Sequence, residues 1–513
     1  MSFFESMLAL LAVAIVLLQV SRRVAIPYPA MLAAAGVGLA LVPGAPQIQL
    51  DPHTVLALFI APVLVDAAFD FPIGALRLFW RPLTALALVA VLLSAAAVAA
   101  MGVAWAGLPL YAALALGAIV APPDAAAATA ILSRVSMPRR TVTVLKGESL
   151  LNDASALLLF SAALAVHSRG AIDAGLGLHI ALAVPGGIAL GVLLAWFFRW
   201  LAPHLTGTLG GNLTEFTGVL GAWVIAERLG LSAILCLVAF AMTIARSAAL
   251  ATPPRSRIHS FAVWDSAVFL LNVMAFVLMG LQARTIVAAM PAERLMQAGW
   301  FAGAVVACLV VVRMAWVLTY NRLAVRFRIL RGELAPASLA QGVLVGWCGM
   351  RGLVTLATAF ALPADFPQRD LIVLTAFATV IATLVLQGLT LGPLVRLLKL
   401  DGETDLPDEL ARARAAMAQA ALAECASRED PAARTWRYIF ELRRETAQPG
   451  AACAPLDTWR ALGRGALQRQ REELEALRNA QKVGPDAFLI LQEELDFAEV
   501  ALESDRERHI EEN

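Results

Sequence analysis

The sequence predicts an all-α membrane protein, with about thirteen transmembrane helices in two inverted repeats followed by a helical cytoplasmic tail. Three observations carry that expectation. Of 513 residues, 60% are hydrophobic and only 15% charged, with a mean hydropathy of +0.74, values far from those of a globular enzyme of this length. Apolar windows of about 20 residues, the length that crosses a bilayer, recur along the chain. The charges also divide: residues 1–400 hold 25 Lys+Arg against 15 Asp+Glu, a net +10, whereas residues 401–513 carry net −9. A transmembrane domain over 1–400 and a tail over 401–513 are therefore expected.

Spans are predicted near 3–20, 25–42, 54–71, 83–106, 110–132, 149–166, 179–198, 212–229, 231–249, 264–283, 297–320, 339–361 and 370–395. The first is read as a span because it lacks a basic n-region and an A-x-A cleavage site. Loop charge then orients the chain. One set of loops carries Arg22, Arg23, Arg77, Arg81, Arg139, Arg140, Arg326, Arg328, Arg331 and Lys399, among others. The alternate set has only Arg169, Arg228, Arg284, Arg294 and Arg369. By the positive-inside rule the N-terminus faces outside and the tail is cytoplasmic, in a multi-pass cell-membrane protein surrounded by lipid. Five cysteines without C-x-x-C spacing suggest neither a disulfide framework nor a zinc site.

Two spans contain helix breakers at membrane depth. Ala121-Pro122-Pro123-Asp124 interrupts the fifth, where consecutive prolines remove backbone donors and expose carbonyls. Gly346-Trp347-Cys348-Gly349-Met350-Arg351-Gly352 interrupts the twelfth. Broken helices 5 and 12, seven spans apart, fit inverted repeats spanning 1–6 and 8–13, with a site where the breaks meet.

The stretch from Gly147 to Phe160, GESLLNDASALLLF, embeds polar groups and two carboxylates at the head of an apolar run. A charge at the bilayer centre costs about 2.5 to 3.5 kcal/mol on the insertion scale, so such residues mark an ion or proton pathway. On a helix, Ser149 and Asp153 share one face, and Glu148 and Asn152 the adjacent one. Asp124 reaches the same cleft if the fifth span crosses the sixth. Two carboxylates, a serine hydroxyl and freed carbonyls would coordinate a monovalent cation. A carboxylate in a partly dry cleft is costly to keep charged, so Asp153 is expected to hold either H⁺ or the cation, with reorientation following neutralisation. Arg351 needs an anion inside the bundle, and Glu148 is the expected partner in a structural ion pair.

These residues resemble the NhaP/NHE-type sodium:proton antiporters over about residues 1–400. GESLLNDASALLLF matches the G-E-S-L-x-N-D segment, and Gly349 to Gly352 resembles the G-x-R-G segment. Ala61-Pro62 to Asp66, NVMAFVLMGL over Asn272 to Leu281, and Gln387 to Leu391 agree further. The resemblance implies the NhaA/NhaP-like fold, a homodimer, and exchange of Na⁺ or Li⁺ for H⁺, with K⁺/H⁺ antiport as the alternative. It implies that Asp153 is the ion-binding carboxylate, that Ser149 helps coordinate the ion, and that Glu148 bridges to Arg351. Asn152 goes with electroneutral one-for-one exchange. One departure stands out: where the family commonly reads T-D-P, this chain has Pro123-Asp124-Ala125, so Pro123 offers a carbonyl without the hydroxyl, and sodium-over-potassium preference is open.

Other groups are weighed against blander roles. Asp66 is a candidate for the cytoplasmic entrance or for a structural contact; Glu215 and Arg313 are candidates for an ion pair, or for contacts with lipid or a dimer interface, and neither is assigned to the site. Gly187 and Gly191 form G-x-x-x-G, favouring packing within the chain over dimerisation. The tail, with Arg471 to Arg478 amphipathic and Leu491 to Phe497 packed against it, suits a solvated dimerisation segment or a regulatory one. No P-loop is present, so no cofactor, nucleotide or nucleic-acid partner is expected, and neither ATP-driven transport nor an enzymatic activity has support. No repeated pore-loop filter is visible, which disfavours a cation channel.

Overall fold

The computed structural model describes scattered positions between residues 12 and 36, Thr54, and residues 56–124, 139–169, 174–204, 210–251, 254–332, 334–400, 406–428, 430–447 and 454–503. Among these every regular element is a helix and no strand occurs. The chain divides into two compact units, Met1–Glu403 and Thr404–Asn513.

In the first unit the helices are α1 (Leu56–Phe69), α2 (Ile73–Ala106), α3 (Leu110–Val120), α4 (Arg139–Arg169), α5 (Ala174–Leu201), α6 (Gly210–Arg228), α7 (Ala233–Ala251), α8 (Pro254–Ala289), α9 (Ala292–Arg326), α10 (Leu339–Trp347), α11 (Leu353–Phe360) and α12 (Arg369–Leu397). Within the described residues six helices are long and apolar enough to cross a membrane, and α1, α3 and α7 carry shorter apolar stretches. The first two predicted spans and residues 125–132 of the fifth lie wholly or mostly outside the described residues.

Helix ends depart from the hydropathy windows in an informative way. The sixth predicted span begins at 149, yet α4 begins at Arg139, because its polar first turns satisfy their own backbone and need no apolar side chains. Gly147 to Asp153 consequently moves from the head of a span to the middle of a 31-residue helix. In α2, likewise, the basic turns holding Arg77 and Arg81 precede the apolar run, and the helix passes through Pro82 and a π-helical stretch, Ala85–Ala90. That widened turn is a common response to a proline that removes one backbone donor.

Close helix approach depends on residues without bulk. A methyl group at Gly187 would collide with the backbone of Ser232, and one at Gly191 with that of Cys236. The G-x-x-x-G of α5 therefore packs on α7 of the same chain, as expected. The core between helices is built from alanine and branched aliphatics, including Ala95, Ala112, Leu116, Ile119, Val305, Leu309, Ile372 and Val380.

The second unit pairs α13 (Leu406–Ala426) with α14 (Pro431–Thr446), and α15 (Ala454–Asn479) with α16 (Pro485–Leu502). Asp430 caps α14 by accepting from the Ala433 N–H at 2.8 Å. Arg471 of α15 reaches Asp496 at 2.6 Å and Glu499 at 2.5 Å on α16, and the Arg478 guanidinium lies 4.3 Å from the Phe488 ring centroid. Residues 448–453, between α14 and α15, lie outside the described residues.

Candidate functional site

Three segments meet at the centre of the first unit. The first follows α3, whose helical ladder stops at Val120, as the two prolines that follow cannot continue it. The second is the stretch from Cys348 to Gly352, which separates α10 from α11. The third is the middle of α4.

Hydrogen bonds join them directly. The Asp124 N–H donates to the Met350 carbonyl at 2.6 Å, tying one non-helical segment to the other. Asn152 Nδ2 of α4 donates to the Pro123 carbonyl at 2.7 Å. The Arg351 N–H donates to Thr383 Oγ1 of α12 at 3.1 Å. Gly352 lies directly beneath the Asp124 carboxylate, and a Cβ there would overlap it. This glycine is required by close approach, whatever its backbone angles.

The expected Glu148–Arg351 ion pair does not form. Glu148 instead accepts a two-pronged bridge from Arg313 of α9, Nη1 to Oε1 at 2.5 Å and Nη2 to Oε2 at 2.9 Å, with both side chains buried. Arg313 Nη2 also donates to the Val345 carbonyl at 3.1 Å. The planar guanidinium matches a carboxylate edge-on, which makes this the strongest geometry available to either group. Arg351, fully buried, takes another solution. Its Nε donates to the Val120 carbonyl at 3.0 Å, its Nη2 to that of Ala121 at 3.4 Å, and its Nη1 to that of Gly349. A helix C-terminus leaves carbonyls unpaired and carries partial negative charge, so Arg351 is satisfied by capping α3. The Glu215–Arg313 pair weighed above does not form, because Arg313 is held by Glu148; Glu215 accepts instead from Ser260 Oγ at 2.5 Å and Trp264 Nε1 at 2.9 Å.

Asp153 stands apart from these compensated charges. It is 7% exposed, and no hydrogen bond or ion pair among the described residues holds its carboxylate. Asp124, half-buried, is close enough for the two charges to interact. Asn152 is fully buried, and its Oδ1 has no hydrogen-bond partner among the described residues. Ser149 is half-buried one turn before Asp153, and Pro123 is buried; Asp66 is half-buried on α1, which packs against α4. Arg313 and Thr383 were not identified as members of this centre from sequence. The signal for Arg313 was an arginine well inside an apolar span, which demands an anion within the bundle as strongly as Arg351 does.

A helix end and a non-helical segment packed around a buried carboxylate, within a bundle of long apolar helices, fit a helical membrane transporter. The family model for the sodium/hydrogen exchanger, transmembrane, matches residues 8–397, and the chain belongs to that family, a transporter family whose activity is cation/proton antiport. It is 29% identical to an uncharacterised Na⁺/H⁺ exchanger of Mycobacterium tuberculosis, over 96% of this chain and 95% of that protein. A sodium, potassium, lithium and rubidium/H⁺ antiporter of Bacillus pumilus is 32% identical over 76% of this chain and 61% of the relative. Among solved structures, the sodium proton antiporter MjNhaP1 of Methanocaldococcus jannaschii at pH 8 superimposes with a TM-score of 0.61 at 17% identity, covering 79% of this chain and all of that one. That likeness gives the fold.

Proposed function

We propose that this chain exchanges Na⁺ or Li⁺ for H⁺, one for one, by competition of cation and proton at Asp153. The observation that carries the reading is the contrast among buried charges. Glu148 and Arg313 neutralise each other and Arg351 lies on carbonyl oxygens, whereas Asp153 has no basic partner among the described residues. An uncompensated carboxylate at this depth favours whatever cation or proton neutralises it. Asp124, Ser149 and the unpartnered Oδ1 of Asn152 complete an oxygen set suited to a hard monovalent cation, with the Pro123 carbonyl beside them. Asp66 guards the entrance on the side of the basic loops.

Neutralised by either ion, the site reorients by alternating access, a core domain moving beside a dimerisation domain, in a homodimer with its tail in the cytoplasm. Exchange is electroneutral because Asn152, its amide committed to Pro123, adds no charge to the Asp153 and Asp124 carboxylates.

The test is an ion-by-pH series in proteoliposomes with Na⁺, Li⁺ and K⁺. Wild-type protein collapses a pH gradient on addition of Na⁺ or Li⁺, unaffected by a potential clamped with valinomycin. Asp153→Asn is folded and abolishes the response by at least a factor of about 100, the scale for removing a group on which the chemistry depends. Retained cation-driven pH change in that variant would sink the assignment, and a steady current in the wild type would replace exchange with a channel.

A further inference from the structure

On the side of the basic loops, a cavity of about 70 Å³ lies between α2, α4, α9, α10 and the turn after α9. At roughly 10 to 15 Å³ for one water, it has room for a compact multi-oxygen group. Its inner wall is apolar, with Leu86, Val144, Val317 and Val345. Its polar groups are Arg140, Thr141, Arg331, Tyr320, Asn321 and Gln341, and no Asp or Glu among the described residues lines it.

A third guanidinium lies beside this cavity, outside its lining. Gly332 adopts φ +67°, and a Cβ on it would run into Arg81 Nη1, so Arg81 packs against the turn that holds Arg331. None of the three arginines has a carboxylate partner among the described residues. Arg140 Nη1 donates to the Ala335 carbonyl, Arg81 lies 5.3 Å from the Trp80 ring centroid, and Arg331 Nε is buried without a partner. Such a grouping differs from the ordinary basic loop of a membrane protein, in which arginines extend separately into water or headgroups. Here basic side chains gather at a partly apolar cavity, a setting that favours an anion.

We propose that this cavity binds a phosphate-bearing anion. Guanidinium forks pair with phosphate oxygens in the two-pronged manner they use for carboxylates, and Asn321, Gln341 and the Tyr320 hydroxyl supply neutral contacts. Basic pockets between transmembrane helices on the cytoplasmic side are suited to phospholipid headgroups, and the apolar wall suits a chain attached to the phosphate. The chemistry is shared by a lipid headgroup and a free phosphate. Two lining arginines, with Arg81 beside them, weigh against a cation vestibule. The cavity also borders the buried frame of the transport domain: the Val345 carbonyl accepts from Arg313, and Val144 is one helical turn before Glu148. Occupancy should therefore stabilise the domain.

The experiment is thermal unfolding of the full chain in zwitterionic detergent, titrated at constant ionic strength with inorganic phosphate in one arm and dihexanoyl phosphatidate in the other. Wild-type protein is expected to gain melting temperature saturably. Arg140→Gln and Arg331→Gln each raise the half-saturating concentration about tenfold or more, the loss of one charge-assisted hydrogen bond. Arg331→Lys falls between. Saturation by phosphatidate alone identifies a lipid headgroup, by phosphate alone a soluble anion, and by both a site that reads only the phosphate. Absence of saturable stabilisation of the wild type by either probe overturns the proposal, as does unchanged half-saturation in both Gln variants. Arg140, on the half-buried rim, is the substitution least able to disturb folding. Neither readout depends on ion exchange, so a failure here is separate from a failure of the antiport reading.

Discussion

Two buried arginines a few residues from the same centre are satisfied in opposite ways. Arg313 faces a carboxylate and forms a closed, neutral unit with Glu148. Arg351 faces backbone carbonyls at the end of α3 and on its own segment, so its charge is solvated by dipoles and not cancelled. The first arrangement holds three helices, α4, α9 and α10, in register. The second leaves a positive charge at the centre of the domain, where it helps hold the two non-helical segments together. A buried cation thus does not imply a buried ion pair, and which solution it adopts depends on whether a helix end lies within reach.

The largest expected effect comes from breaking the closed pair. Glu148→Gln or Arg313→Met alone leaves one charge uncompensated and should cost about 3 to 5 kcal/mol, read as a collapse of the melting temperature or of the monodisperse fraction in detergent. Glu148→Leu with Arg313→Met should recover most of that loss; a double variant as unstable as the singles would mean the two residues do not act together. Arg351→Ala should cost less, about 1.5 to 3 kcal/mol for the better of its hydrogen bonds, and its coupling to Glu148→Gln in a double-mutant cycle should be smaller than that of Arg313→Met. Coupling of equal size would restore the Glu148–Arg351 pair.

Asn152→Asp is a subtler probe of the same contrast. It replaces the donor to Pro123 with an acceptor and should cost about 1 to 3 kcal/mol. Whatever exchange remains should become sensitive to membrane potential, whereas unchanged electroneutrality would show that this position does not set the charge carried. The smallest effects belong to the tail, where pairs are solvated. Arg471→Ala should lower its stability by at most about 1 kcal/mol, measured by circular dichroism of the full chain. Glu472 is held below the ordinary carboxylate value by Gln468 and Arg469, so its contribution is present above its unfolded pKa and fades as pH falls through the acid range. Glu472→Gln should flatten that dependence.

Much of the centre could be read from the chain because burial of polar groups in a bilayer is so costly that each leaves a mark. Asp153, Asp124, Asn152 and the break around Arg351 were all visible as polar or helix-breaking residues in apolar surroundings, and the spacing of Ser149 and Asp153 follows from helical periodicity. Partnership was less legible. Glu148 had two candidate arginines at membrane depth, and choosing between them requires knowing that α9 lies against α4 and that α3 ends beside Arg351. Hydropathy also reports where apolar surface is needed and not where a helix begins, so α4 extends ten residues before its predicted span.

The way the carbonyls at this crossing are used limits what remains for an ion. Those of Val120 and Ala121 face Arg351, that of Pro123 accepts from Asn152, and that of Met350 accepts from the Asp124 N–H. In ion filters lined by carbonyls, selectivity can be adjusted without reference to acidity, because the ligands do not titrate. Here the oxygens left for a bound cation belong mainly to side chains, and two of them are carboxylates. Ion preference and pH response would then be two readings of one set of atoms, and a substitution that moves either should move the other.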